Sequence, residues 1–216
     1  MLISCGFLMI SLLTFLTGFG GLNGLKSYLP SFTTHPKNPS TGNCMISAMQ
    51  FATPPLMQID TNKQYFATVK MAKGGEFVIQ LYPDKAPITA NNFVFLARKG
   101  FFNCVTFHRV MKGFMAQGGD QSGTGTGGPG YQFVNEKNDL LFDKAGVVAM
   151  ANVGPGTNGS QFFITFEPLD LAESDYTIFG QVVSGMDVVN GLTARNPQQN
   201  PTFPGDMMEN VTITEK

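Results

Sequence analysis

From Tyr65 onward, apolar and polar positions alternate in short runs that glycine turns interrupt. YFATVKM (65–71), EFVIQLY (76–82), TFHRVM (106–111), FMAQGG (114–119), GVVAMA (146–151), QFFITF (161–166), TIFGQVV (177–183) and NVTIT (210–214) are each rich in Val, Ile, Phe, Thr or Tyr. Such residues fit a pleated, half-buried surface. Gly-Gly, Lys-Gly and Gly-Pro pairs separate the runs. Two segments show helical spacing instead. In APITANNFVFLARKG (86–100), Pro87 suits a first turn, and Ala90, Phe93, Val94 and Ala97 form one apolar stripe. Gly100 stands where that helix should end. MDVVNGLTA (186–194) is a second, shorter helix. Together these elements predict a mainly β fold, a closed eight-stranded antiparallel β-barrel capped by two α-helices.

The chain before Gln58 reads differently. MLISCGFLMISLLTFLTGFGGLNGL (1–25) carries no charge and is long enough to cross a bilayer or to serve as the apolar part of a secretory signal. The first charge is Lys26, so the basic residues that both readings favour ahead of the run are missing. Initiation at Met45, Met49 or Met57 would leave the run out of the product. An anchor or signal implies a membrane-anchored or exported protein, and initiation at Met45 or Met49 a cytoplasmic one. Residues 26–57 hold Pro30, Pro36, Pro39, Pro54 and Pro55 among Ser, Thr and Asn. This composition predicts an extended linker ahead of the domain at 58–216.

Composition narrows the chemistry. The net charge is −1 with no basic cluster, which argues against nucleic acid as a partner. Cys5, Cys44 and Cys104 are odd in number and widely spaced, so they predict neither a disulfide framework nor a metal site. With only His35 and His108 besides, no metal and no cofactor is expected.

GTGTGG (123–128) fits the dinucleotide-binding fingerprint, but Pro129-Gly130 follows where that turn requires a helix. The stretch reads instead as a tight loop beside a groove. His108 and Arg109 are neighbours in a predicted strand and so point to opposite faces. His108 therefore reads as a hydrogen-bonded structural residue. Ser122 and Ser160 have no evident base, and the domain has no Gly-x-Ser-x-Gly elbow. A lone arginine among large apolar side chains remains to be explained.

FHRVMKGFMAQGGD (107–120), GTGTGG (123–128), MANVGPGTNGSQFFI (150–164) and TIFGQVVSGMDVV (177–189) resemble, in this order, the signature segments of the cyclophilins. The similarity runs from about Tyr65 to the C-terminus, and the compact glycine loop is most similar to short bacterial members. The resemblance implies the same capped barrel, and a monomeric peptidyl-prolyl cis-trans isomerase acting on proline-containing polypeptides during folding. Arg109 matches the catalytic arginine of the family. Phe114, Met115 and Phe163 match its proline pocket, although read alone they would be barrel core. Gln117 and Asn152 match residues that hold the peptide backbone, and Ala151 and Gly125 leave room for it.

The chain departs from the family at one edge of the groove. It has no Trp, so Leu169 or Leu171 must replace a frequent tryptophan, and Tyr176 stands where a histidine is common. Cyclosporin binding is accordingly expected to be weak. A function of another class, a non-catalytic proline-peptide-binding module or holdase chaperone, would use the same groove without needing Arg109.

Overall fold

The computed structural model describes residues 44–172 and 175–216. The apolar segment 1–25 and positions 26–43 of the expected linker lie outside the described residues. Among those described, no helix is long and apolar enough to cross a membrane.

The elements run β1 (Tyr65–Met71), β2 (Glu76–Leu81), α1 (Pro87–Arg98), β3 (Thr106–Phe107), β4 (Arg109–Met111), β5 (Met115–Gly118), β6 (Val147–Met150), β7 (Phe162–Thr165), β8 (Ile178–Ser184), α2 (Met186–Asn190) and β9 (Asp206–Glu215). All strand pairs are antiparallel, in the order β3-β9-β1-β2-β8-β6-β7-β5-β4. The two edge strands, β3 and β4, are separated in the chain by His108 alone, so the chain itself nearly closes the barrel. The single run expected at 106–111 is thereby divided, and eight expected strands become nine. Phe107 pairs with Asp206 of β9, whereas Arg109 pairs with Gln117 of β5. Arg195 holds the junction. Its NH1 donates to the His108 carbonyl, its Nε donates to Phe203 O at 2.6 Å, and its own backbone bridges to Val110.

The core is aromatic. Phe93 of α1 stacks on Phe102 at 4.8 Å and meets Phe162 edge-on at 5.4 Å, and Phe107 meets Phe162 at 6.0 Å. Burying each such ring contributes about 1.5–3 kcal/mol. The predicted stripe Ala90, Phe93, Val94 and Ala97 is the buried face of α1. Its N-terminus has no side-chain cap of its own. Glu136 supplies one from a distant loop, accepting from Ile88 N at 2.8 Å and Thr89 N at 2.7 Å, where the helix dipole favours a carboxylate.

Residues 44–57, the described end of the linker, lie on the barrel as an irregular strap. Phe51 N donates to Pro129 O at 2.8 Å, and its ring meets Phe95 edge-on at 5.0 Å. Asn91 of α1 donates to Leu56 O and accepts from Gln58 N, at 3.0 and 2.8 Å. The expectation of no disulfide is corrected here: Cys44 is bonded to Cys104 across a sequence separation of 60, with Cα atoms 5.7 Å apart. The strap returns along α1 to the loop that follows it, a proximity that cysteine spacing does not encode.

Candidate active site

Arg109, Gln117, Phe163 and Ala149 stand opposite one another across β4, β5, β7 and β6. Directly opposed residues share a face of the sheet. The next row, Val110, Ala116, Ile164 and Val148, points the other way into the main core. One alternation thus builds the barrel interior and an outer face that carries the site.

Arg109 is half-buried on that face. Its NH1 makes a long contact of 3.4 Å to Gln117 Oε1 and lies 3.8 Å from Met115 Sδ. The guanidinium carbon is 5.6 Å from the Phe114 ring centre, within cation–π range. None of the described ion pairs involves Arg109. Its charge is packed against apolar surface yet free to address a ligand.

The apolar wall is a cluster separate from the main core. Met115, Phe142, Ala149 and Phe163 are buried in it, with Phe114, Ala151, Leu169, Leu171 and Tyr176 packed around them. Phe142 stacks on Phe163 at 5.8 Å, and Tyr176 meets both rings edge-on at 6.0 and 5.5 Å. Both leucines put forward for the missing tryptophan therefore touch this cluster. Phe142 was not foreseen, because the irregular segment that carries it has no periodicity.

The opposite wall is the glycine loop, and an anion already occupies its donors. Asp120, fully buried, accepts from Ser122 N at 2.8 Å, Ser122 Oγ at 2.7 Å, Gly125 N at 2.7 Å and Gly127 N at 3.1 Å. Burial alone would push its carboxyl up. The hydrogen bonds from Ser122, Gly127 and Gly125 outweigh that and hold it below the ordinary carboxylate value. A Cβ on Gly127 would lie 2.0 Å from Asp120 Oδ1, so only glycine fits there. The fingerprint GTGTGG thus folds around an internal carboxylate rather than a phosphate. Ser160 is also structural, donating to Gly119 O at 2.7 Å.

Gln161 joins the two walls. It accepts from Gln117 Nε2 at 2.9 Å and donates to Gly125 O at 3.0 Å and Gly127 O at 2.8 Å. The sequence reading missed it, although the alternation that places Phe163 on the site face places Gln161 there too. On the loop side of Gln117 and Gln161 opens a groove of about 830 Å³, lined also by Gly125, Ala151 and Asn152. The Asn152 side chain is already engaged, donating to Asp175 O of the segment before β8 at 2.8 Å and accepting from Gly154 N of its own loop at 3.1 Å.

His108 lies beneath this loop, 1% exposed, and Gly125 at φ +87 runs over its ring. The expected hydrogen bonds are absent: neither ring nitrogen has a partner among the described residues. Burial lowers its pKa, Asp120 partly restores it, and Arg195 and Arg109 lower it further, which keeps the imidazole neutral.

Among the described residues, this barrel face sets a guanidinium without an ion-pair partner and an apolar pocket beside an open groove lined by amides, and it shows no nucleophile–base pair. That layout defines a prolyl isomerase. The chain belongs to the cyclophilin type peptidyl-prolyl cis-trans isomerase/CLD family, whose sequence pattern matches residues 66–215. It is 49% identical over 133 residues to peptidyl-prolyl cis-trans isomerase-like 1 of Mus musculus and equally to that of Homo sapiens, covering 59% of this chain and 80% of each relative. Peptidyl-prolyl cis-trans isomerase ppi1 of Schizosaccharomyces pombe is 43% identical over 145 residues, 64% of this chain and 94% of that one. These relatives are animal and fungal rather than the short bacterial members expected. A crystal structure of a Cryptosporidium parvum cyclophilin type peptidyl-prolyl cis-trans isomerase matches with a TM-score of 0.65 at 30% identity, over 71% of this chain and 99% of its own. The same protein in the presence of the dipeptide Ala-Pro matches with a TM-score of 0.63 at 29% identity, over 70% and 99%. The activity of the chain is peptidyl-prolyl cis-trans isomerisation.

Proposed function

We propose that Arg109 is the catalytic residue, and that Phe114, Met115 and Phe163 seat the proline ring beside it. Rotation about an Xaa-Pro bond crosses a barrier of ~18–20 kcal/mol, because the nitrogen lone pair is delocalised into the carbonyl. In the twisted state that lone pair returns to nitrogen, and a guanidinium N–H directed at it stabilises this state over either planar isomer. No bond is broken and no proton need be transferred. The apolar cluster excludes water, which strengthens the field of the guanidinium where the nitrogen turns. Gln117, Gln161 and the backbone at Ala151 and Asn152 hold the flanking peptide, and Gly125 leaves it room. Leu169, Leu171 and Tyr176 close the apolar side.

The observation that carries this reading is a guanidinium on the apolar face without an ion-pair partner among the described residues. A protease-coupled isomerisation assay on Arg109→Ala tests it, with peptide binding measured in parallel. A loss of about 4 kcal/mol of transition-state stabilisation lowers kcat/KM about a thousandfold, while binding changes only a few-fold. Arg109→Lys should recover little, since Lys lacks the directed fork. Equal turnover by Arg109→Ala and the parent would leave the groove as a proline-peptide-binding or holdase surface.

We also propose that residues 1–25, uncharged and long enough to span a bilayer, tether the domain. The full chain with a C-terminal tag should then fractionate with membranes, and a soluble product would reject the tether.

A further inference from the structure

β4, which carries Arg109, has three residues and ends the sheet order beside β5. His108 before it belongs to no strand, and neither nitrogen of its ring has a partner among the described residues. The chain there is held by Arg195, from the loop between α2 and β9. A terminal nitrogen of its guanidinium donates to the carbonyl of His108, the residue before Arg109. Its backbone N–H donates to Val110 O at 2.9 Å and its carbonyl accepts from Val110 N at 2.8 Å, on the residue after Arg109. One residue thus grips the chain on both sides of Arg109. Arg195 is itself anchored, its Nε donating to Phe203 O at 2.6 Å, and none of the described ion pairs involves it. The loop that supplies Phe203 is stiff, because Pro197, Pro201 and Pro204 fix φ along it. Gly205, at φ +111, lets that loop lie against Phe107 O with no room for a Cβ.

Resting on the reading of Arg109 as the catalytic residue, we propose that Arg195 is its positioning residue, a second arginine that acts through the first and sets where it points. A donor aimed at the turning nitrogen works only over a narrow range of distance and angle. A shift of about 1 Å in such a group can cost about a hundredfold in rate. An exposed three-residue edge strand cannot hold that tolerance by its pairing with β5 alone. The Arg195 fork supplies the missing constraint, because it spans the carbonyls of His108 and Phe203 at once and ties β4 to the proline-stiffened loop. An ammonium in its place has no such fixed pair of donors.

The test measures kcat and KM of the full chain on a proline peptide, with urea melts to establish that each variant is folded under assay conditions. Arg195→Met keeps an apolar stem and removes the donors. It should lower kcat by about tenfold or more and move KM by less than about twofold. Arg195→Lys should recover little of the loss. In an Arg109→Ala background, Arg195→Met should lower the residual rate by less than about twofold, since nothing is left for it to aim. Val69→Ala, which opens a cavity in the core at β1, should leave kcat unchanged. A folded Arg195→Met with the parent's kcat overturns the proposal, and so does full turnover by Arg195→Lys. An equal loss in the Arg109→Ala background or in Val69→Ala also overturns it, since Arg195 would then be only structural. Should Arg195→Met fail to fold, Arg195→Lys alone and combined with Arg109→Ala carries the same comparison. Equal turnover by Arg109→Ala and the parent would instead reject the reading of Arg109 on which the proposal rests.

Discussion

The glycine loop 120–130 and the apolar cluster around Phe142 and Phe163 form the two walls beside Arg109, but they keep their shapes by different means. The first converges backbone N–H groups on one buried carboxylate, and a single Cβ at Gly127 would meet Asp120 at 2.0 Å. The second is shaped mainly by contact area: Phe142 stacks on Phe163, Tyr176 meets both rings edge to face, and Leu169 and Leu171 fill against them. Hydrogen-bond geometry tolerates almost no substitution, whereas apolar packing tolerates exchange at similar volume. This difference explains how a chain without tryptophan keeps an apolar wall at that place.

The largest effect expected from breaking either wall is on the apolar side. Phe142 is 2% exposed and links Phe163 to Tyr176. Phe142→Ala should cost about 3–5 kcal/mol in a urea melt, and Phe142→Leu much less. If the two variants melted alike, packing volume would not be what holds that wall. On the polar side, Gly127→Ala displaces Asp120 from its donors and leaves buried N–H groups unpaired, at about 1–3 kcal/mol. Gly128→Ala meets nothing within 4 Å and provides the matched control. Equal melting of these two would refute the anion nest.

Cyclosporin separates the walls by ligand. An indole offers both area and an N–H donor, and neither leucine can donate. One lost hydrogen bond at roughly 0.5–1.5 kcal/mol, with some lost area, predicts inhibition weaker by about one to two orders of magnitude than in tryptophan-containing relatives. Leu171→Trp should recover much of it in an isomerisation titration. Nanomolar inhibition of the unaltered protein would mean that the wall already holds a donor.

The sequence carried some of this architecture and not the rest, for identifiable reasons. The runs of β5, β6 and β7 were legible as strands, but β6 and β7 are buried and almost wholly apolar on both faces, so Phe163 read alone as core and the family resemblance, not the period, set it and Gln117 at the site. The break at His108 did not follow. Thr106–Met111 is uniformly β-like, and the change of partner is enforced from afar by Arg195 and by Gly205, where a Cβ would lie 2.4 Å from Phe107 O. The strap offers no periodicity, only Phe51 and a cysteine whose partner is 60 residues away. GTGTGG misleads because the motif records glycine's backbone freedom and not the identity of the anion it serves.

The smallest effect expected is a pH dependence belonging to the glycine-loop side. His108, beneath that loop, is held below its ordinary value of 6.5, mainly by burial, with Asp120 opposing and Arg195 and Arg109 reinforcing. The unfolded chain therefore binds a proton near pH 6.5 that the folded protein refuses until lower pH. Stability from this source is complete above 6.5 and is lost as pH falls from there towards the folded value, at no more than about 1.4 kcal/mol per pH unit for one proton. Asp120 is a depressed carboxylate, so its contribution is present above its ordinary 3.8 and is lost only as pH falls below it. Between those two values the His108 slope stands alone of the pair. Urea midpoints of the parent should decline over that window, while those of His108→Gln, which cannot titrate, stay nearly level. Parallel declines in the two proteins would assign the slope to some other group and leave His108 without a role in acid stability.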